Sequence, residues 1–579
     1  MVHGRENHAA GPEPAAVLPF DLIVVGAGIN GAGIARDAAS RGLRVALVEK
    51  EDIGAGTSSW SGRLIHGGLR YLEQRDVRLV RESLRERERL FRLAPHLVKP
   101  VPLMMPFYEK NTRPPWMIRA GMLLYDVLSW DKTPPRHKVL SREEALRRFP
   151  GMSREGLEGA AVFYDGQVVW SERLCVETVL AAHADGALVR TYSEVDDLIH
   201  EGGRAGGVRY RDVLTGKRHE LRGKVVVNVA GPWVDAVLAG TGKPSRRLIG
   251  GTKGSHLVVG PFPGAPSDVV YYESQRDGRL VLVIPWGDRY LIGTTDIRFD
   301  ENPDEARADA EETEYLLSEV NRLVPGANLT PDDVLFTYSG VRPLPYVPDK
   351  SESSVPRRHV IVDHAPEIRN LLSIVGGKLT TYRSLAEETV DKVFGLLGRK
   401  PVRCVTRDLP LPGARAADLS RLREELAATS GMPRPTVDRL VEVYGSRAVD
   451  VWQIGAESPE LLEPFDEGTG AIGAELVLAF RDEFARTLTD ALVRRTMVGM
   501  SAGQGLGAVE RAAKILAPHF GWGPDRVDRE VAEYRRYVRR FEVPGREPLA
   551  GSAAGASYGP SASGTSPAAS NSDGEMLQP

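Results

Sequence analysis

The stretch from Phe20 to Glu49, FDLIVVGAGINGAGIARDAASRGLRVALVE, constrains this chain more than any other. An apolar strand runs into a turn with glycines at 26, 28 and 31. A helical segment follows, and a second apolar run, Val45 to Val48, ends in an acid. The spacing G-x-G-x-x-G is a weak signal alone. Between a strand and a helix, with Glu49 lying 18 residues past Gly31, it reads as a dinucleotide-binding unit. Gly26 permits the tight turn, Gly28 lets the backbone approach a pyrophosphate, and Gly31 lets helix and strand pack closely. The helix N-terminus then faces the phosphate charge, and Glu49 accepts from ribose hydroxyls. The motif does not by itself choose between FAD and NAD. Its position near the N-terminus of a 579-residue chain leans to FAD.

Beyond this unit, short Val/Ile/Leu runs alternate with helical patterns and glycine-rich turns to about Val405, which is an α/β pattern. The strand candidates FDLIVV, VALVE, KVVVNVA, SHLVV, RLVLVIPW and LLSIV predict a mixed sheet with an inserted or companion sheet. Residues 18–405 therefore read as a doubly wound FAD-binding domain interleaved with a mixed-sheet substrate domain. Four segments, TVDRLVEVYG, EFARTLTDALVRRT, AVERAAKILAPHF and DREVAEYRRYVRRF, have helical spacing and predict a separate all-helical domain over 406–545. Residues 1–17 read as a loose tail. The Gly/Ser/Ala/Pro-rich residues 546–579 read as disordered, since they cannot bury enough apolar area to offset the entropy of ordering.

Composition excludes some functions. With 75 basic and 78 acidic residues, bulk attraction to nucleic acid is not expected. Two cysteines, Cys175 and Cys404, give neither a metal spacing nor a disulfide framework, so no metal is expected and a reducing, cytoplasmic setting fits. No uncharged apolar run reaches the ~18 residues of a spanning helix. The first 17 residues carry Arg5, Glu6 and Glu13 and lack a signal-peptide core. A protein that is soluble or lies on a membrane surface is expected. Thr112 to Trp130, TRPPWMIRAGMLLYDVLSW, reads equally as a membrane-interface helix or a core helix with a basic edge.

Six motifs occur in order: the nucleotide unit through GAGTSS, RLIHGGLRYLE, GTKGSHLVV, VIPWGDRYLIGTTD, TYSGVRPL and IVGGKLTTYR. Together they closely resemble the FAD-dependent, quinone-linked glycerol-3-phosphate dehydrogenases, from about Asp21 to Arg383 and again in EFARTLTDALVRRT. The resemblance implies an FAD-binding doubly wound domain, a substrate domain around an antiparallel sheet, and a C-terminal helical domain. It implies hydride transfer from C2 of sn-glycerol 3-phosphate to flavin N5, with electrons passed on to a membrane quinone. A peripheral membrane contact and a homodimer are left open. It puts Thr57, Ser58, Gly67, Gly231, Gly377, Lys378, Leu379 and Thr380 at the cofactor beside Gly26, Gly28, Gly31 and Glu49. The chain departs from the family at Ala230, where relatives carry threonine, and at Arg63, where many carry lysine.

Oxidising a secondary alcohol by hydride transfer needs a base, a held carbon and, for a phosphorylated substrate, cations. His66 titrates in a suitable range, and Gly67 and Gly68 leave room for a flat ring. His256 is the rival base. Arg342, pinned between Gly340 and Pro343, can offer a bidentate fork to phosphate. Arg63, Lys253 and Lys378 are further phosphate candidates, and Arg383 is either a ligand or a surface pair. A helix starting after Gly377 would stabilise negative charge on reduced flavin. The alternatives are an oxidase releasing peroxide, a flavin amine oxidase acting on glycine or sarcosine, and a non-catalytic FAD-binding scaffold.

Overall fold

In the computed structural model, which describes residues 19–72, 76–242, 246–348, 358–416 and 418–546, β1 (Phe20–Val25) lies between two parallel neighbours, β2 (Val45–Val48) and the strand Arg218–Asn228. Both expected tails, 1–17 and all but the first residue of 546–579, fall outside these residues. Burial on both faces is why such strands read as unbroken apolar runs rather than alternating ones. Leu188–Arg190 adds beyond β2. Leu371–Val375 adds beyond Arg218–Asn228, and antiparallel Val360–Asp363 forms that edge. On one face, α1 (Ile29–Ser40) packs with the helices Ser171–Ala184 and Tyr382–Leu396. Gly33 permits this, since a Cβ there would lie 2.7 Å from the Tyr382 ring. The hairpin Ser193–Glu201 with Arg204–Asp212 and the short helix Val234–Ala239 cover the other face. The first sheet is thus the doubly wound sheet that the glycine motif predicts.

The companion sheet has ten strands and is mostly antiparallel. At its centre Thr252–Val259 pairs with Arg289–Gly293 and with Val334–Arg342. SHLVV and RLVLVIPW fall here, KVVVNVA and LLSIV in the first sheet. Two long strands, Val98–Tyr108 and Leu157–Val168, pair along their whole length yet were not among the candidate runs. The first, VKPVPLMMPFY, carries Pro100, Pro102 and Pro106, which argues against a strand because proline donates no ladder bond. All three occupy alternate positions, so the missing donors fall on one side.

Two helices sit beside this sheet. α2 (Val77–Leu93) is capped by Asp76, whose carboxylate accepts from the Leu79 N–H at 3.0 Å. α3 (Pro115–Leu128) turns Ile118, Met122 and Tyr125 inward. Its outer side leaves Trp116 70%, Leu123 63% and Val127 59% exposed, and Trp130 beyond it is 76% exposed. The stretch is therefore not a plain core helix: an exposed apolar side stands beside the exposed Arg119. No described helix is long and apolar enough to cross a membrane.

The helices Leu419–Thr429, Arg434–Tyr444, Ala448–Glu457, Gly473–Asp482, Val509–Phe520 and Pro524–Val538 make up the C-terminal region. One expectation is corrected here. EFARTLTDALVRRT is not an α-helix. It is irregular to Thr487 and then forms a wide π-turn over Asp490–Arg495. The wide turn aims two successive arginines inward. Arg495 grips the fully buried Asp52 at 2.7 and 2.8 Å, and Arg494 reaches the same carboxylate. The helices of this region pack tightly on the rest of the chain. Phe480, Trp522, Tyr534 and Phe541 share one core with Trp60, Phe163, Trp286 and Phe336, and a buried Arg173–Glu483 pair crosses the same boundary.

Candidate active site

A cavity of about 1020 Å³ runs from the β1–α1 turn to the end of the companion sheet. At its first end the chain presents backbone. Gly26 has φ +107°, and a Cβ there would lie 2.6 Å from the Val229 carbonyl oxygen. A Cβ at Gly31 would lie 1.8 Å from the Gly26 oxygen, so α1 can meet β1 only through glycine. Gly28 is the N-cap of α1, and Ser58 Oγ accepts from the Ile29 N–H at 3.0 Å. The Glu49 carboxylate accepts from the N–H groups of Ala27 (2.7 Å) and Glu51 (3.0 Å), and burial pushes its pKa up to about 7. Thr57 donates to the Val341 carbonyl at 2.7 Å, linking this loop to the companion sheet. Gly231 lines the wall with φ +58°, beside Ala230 and Trp233.

This end fits a dinucleotide. It is open where a Gly28 side chain would meet only Ser58 Oγ at 3.3 Å, and it has the N-terminus of a twelve-residue helix. Asn30 also lines it, with a buried Oδ1 that has no hydrogen-bond partner among the described residues. Asn30 Nδ2 donates to the Gly376 carbonyl at 3.2 Å. A Cβ at Gly377 would strike the Asn30 amide at 2.4 Å, so the two motifs meet through a glycine.

At the other end side chains converge. Thr380 Oγ1 accepts from the His66 N–H (3.2 Å) and donates to the His66 carbonyl (3.3 Å), so it pins the loop rather than capping a helix. The helix begins only at Tyr382, four residues past Lys378. The His66 ring faces Tyr71, centroids 6.3 Å apart, and the Lys378 ammonium lies 3.7 Å from the Tyr71 ring centre. Burial and, second, Lys378 push the His66 pKa down to about 4, with Asp165 acting the other way. The imidazole is neutral at ordinary pH, as a proton acceptor must be. Arg342 closes this end. It donates to Thr294 Oγ1 (2.9 Å), the Thr295 carbonyl (3.2 Å) and Asp296 (3.1 Å) and still lines the cavity. Gly254 makes space for it, since a Cβ there would lie 2.2 Å from the guanidinium. Leu379 completes the wall.

Several expected residues point elsewhere. Arg63 is fully buried. It borders the cavity, but its two terminal nitrogens are taken by Glu172 at 2.7 and 2.9 Å and its guanidinium lies 4.3 Å from the Trp286 ring centre, so that fork is committed to a buried ion pair rather than to a substrate phosphate. Lys253 lies in the strand Thr252–Val259 and pairs with Glu312 (2.9 Å) and Asp309 (3.1 Å), away from the cavity wall. Arg383 is held by Glu86 and Glu387. His256 is buried against Tyr338, centroids 4.9 Å apart, and does not line the cavity; burial pushes its pKa down to about 3. Gly67 and Gly68 make room for protein rather than for a flat ligand. A Cβ at Gly67 would lie 2.3 Å from Tyr125 Oη, and one at Gly68 2.1 Å from the Tyr71 ring.

Sequence reasoning missed Tyr71, Asn30, Asp165, Thr294 and Asp296, all of which line the cavity. Two had a signal. Asn30 interrupts a glycine motif, and Tyr71 stands five residues after His66 in a short loop. Asp165 had none, being one acid within a strand.

The family described as FAD dependent oxidoreductase matches residues 21–383, and the C-terminal domain of alpha-glycerophosphate oxidase matches 404–527. The glycerol-3-phosphate dehydrogenase of Synechocystis sp. is 44% identical, covering 91% of this chain and 97% of its own. That of Mycobacterium leprae is 38% identical over 92% and 91%. The solved glycerol-3-phosphate dehydrogenase from Bacillus halodurans, complexed with FAD, has a TM-score of 0.73 at 29% identity and covers 90% of this chain and 95% of that one. The L-alpha-glycerophosphate oxidase from Mycoplasma pneumoniae, at 17% identity and a TM-score of 0.52, shares the fold.

Proposed function

Because this chain belongs to the FAD-dependent glycerol-3-phosphate dehydrogenases, we propose that it oxidises sn-glycerol 3-phosphate to dihydroxyacetone phosphate. The observation that carries the reading is one continuous cavity, with a glycine cradle at one end and His66, Lys378 and Arg342 at the other. Gly26, Gly28, Asn30 and Glu49 would hold the dinucleotide, with Gly31 letting α1 pack against β1, and Gly377, Leu379 and Thr380 would border the flavin. Bound FAD supplies the hydride acceptor, N5 of its ring system. Neutral His66 takes the proton of the C2 hydroxyl as the hydride leaves C2, so the alcohol loses two electrons and two hydrogens in all. Arg342 and Lys378 hold the phosphate, with Thr294 and Asp296 fixing the Arg342 fork. His256, buried behind the cavity wall, is structural.

Electrons then pass to a membrane quinone at the inner face of the cytoplasmic membrane. The exposed apolar side of α3 supports this: Trp116, Leu123, Val127 and Trp130 suit the boundary between lipid headgroups and chains. The test is anaerobic mixing of the purified protein with sn-glycerol 3-phosphate. The flavin absorbance should bleach, and glycerol, lacking phosphate, should bleach it poorly. Dye reduction, quinone reduction in vesicles and peroxide release are then measured in parallel. Peroxide stoichiometric with substrate would replace the quinone reading with an oxidase. A triple serine variant of Trp116, Leu123 and Val127 should keep dye reduction and lose vesicle binding.

A further inference from the structure

We infer that Asp165 is the positioning residue of His66, holding its loop and giving it a negative neighbour; this rests on the reading of His66 as the base. Asp165 stands on the strand Leu157–Val168 and is 2% exposed. Three elements converge on its carboxylate. The Gly67 N–H, next in the chain to His66, donates at 3.1 Å. Arg87 of α2 donates at 2.6 Å, and the Tyr125 hydroxyl of α3 donates at 2.8 and 2.9 Å. The same Gly67 N–H also lies 3.0 Å from Tyr125 Oη. A side chain at residue 67 would fill the gap that this arrangement needs, which accounts for the glycine.

The His66 loop is therefore gripped on both flanks, by Thr380 at His66 itself and by the Asp165–Tyr125 pair at Gly67. Asp165 also lines the cavity. The charged and titratable groups facing the imidazole are Lys378 from the segment before the helix Tyr382–Leu396, Tyr71 from the turn Leu69–Leu72, and Asp165, with Arg87 and Tyr125 behind it. Lys378 opposes protonation of His66 and Asp165 favours it. When the imidazole takes a proton from the substrate, Asp165 is the neighbouring anion that accommodates the new charge.

The test uses FAD-loaded Asp165→Asn, which keeps the shape and an acceptor for Gly67 while removing the charge. Flavin bleaching under anaerobic stopped flow should slow about tenfold to hundredfold at pH 7, with FAD content and KM near wild type. In pH-jump mixing, the acid limb of the rate should move to lower pH. A yellow Asp165→Asn enzyme with the wild-type rate and limb overturns the inference. Should that variant not fold, Tyr125→Phe keeps every charge and removes one hydroxyl of the grip. It should slow bleaching about threefold to tenfold and leave the limb in place; a wild-type rate in Tyr125→Phe also overturns the inference. His66→Gln, run alongside, separates the two levels. If His66→Gln is crippled and Asp165→Asn is not, only the role of Asp165 falls. If His66→Gln is itself wild type, the reading of His66 falls with it.

Discussion

The two ends of the cavity are built of different materials. The nucleotide end is mainly backbone from one contiguous stretch, Gly26 to Ser58, shaped by glycines that exclude Cβ atoms. The reaction end is side chains brought from residues 66, 71, 165, 342 and 378, held by hydrogen bonds and neighbouring charge. A backbone cradle fails by steric filling, in one step. A side-chain site fails by degrees, as charge and geometry are lost one bond at a time.

The comparison can be broken most sharply at Gly31. Gly31→Val sets a side chain 1.8 Å from the Gly26 oxygen, so the turn cannot close. The expected outcome is protein without FAD, read from the visible spectrum, and a fully yellow variant would show that the cradle yields. The next effect belongs to the other end. His66→Gln should slow flavin bleaching about 10²–10⁴-fold while FAD content stays whole.

A pH profile sharpens this. Burial holds His66 near 4 and His256 near 3, below the ~6.5 of an unfolded histidine. Between those values the unfolded chain binds more protons, so their contribution to stability is complete above about 6.5 and is lost as pH falls. The melting temperature should drop on acidification, and His256→Gln should flatten that drop.

Arg342→Lys keeps the charge and loses the fork that engages Thr294 and Asp296. At about 1.5–3 kcal/mol for a charge-assisted bond, kcat/KM should fall roughly 10–150-fold, mostly through KM. His256→Gln should change turnover by no more than about threefold, a barrier change under ~0.7 kcal/mol; a crippled, FAD-loaded variant would make His256 the base after all. Arg63→Met should have the smallest kinetic effect. It leaves Glu172 buried without its cation, at a cost of about 3–5 kcal/mol of stability, and KM should not move.

What could be read from the chain follows the same division. Glycines at 26, 28 and 31 carry their geometry in their spacing, so the strand–turn–helix unit and the doubly wound sheet were legible. A cation does not carry its partner with it. Glu172 lies 109 residues from Arg63 and Asp309 lies 56 from Lys253, and nothing local marks either arginine or lysine as already taken. Gly67 and Gly68 were legible as places where no side chain fits, but Tyr125, 58 residues on from Gly67, is what fills that space. Helical spacing misled at Asp490–Arg495 because the apolar period there serves a widened turn whose arginines reach back to Asp52. The prolines of Val98–Tyr108 hid a strand whose ladder they spare.

The bond from Arg494 to Asp52 spans 442 residues, and that span is also an interval of time. A ribosome adding about 5–20 residues per second makes Asp52 roughly 20–90 s before the arginines that neutralise it. Over that interval the loop carrying Glu49, Thr57 and Ser58 exists without the charges that bury its acid. The loop that carries the acid is thus made well before the arginines that fasten it, and a chain released short of residue 494 leaves with its cofactor loop unfastened.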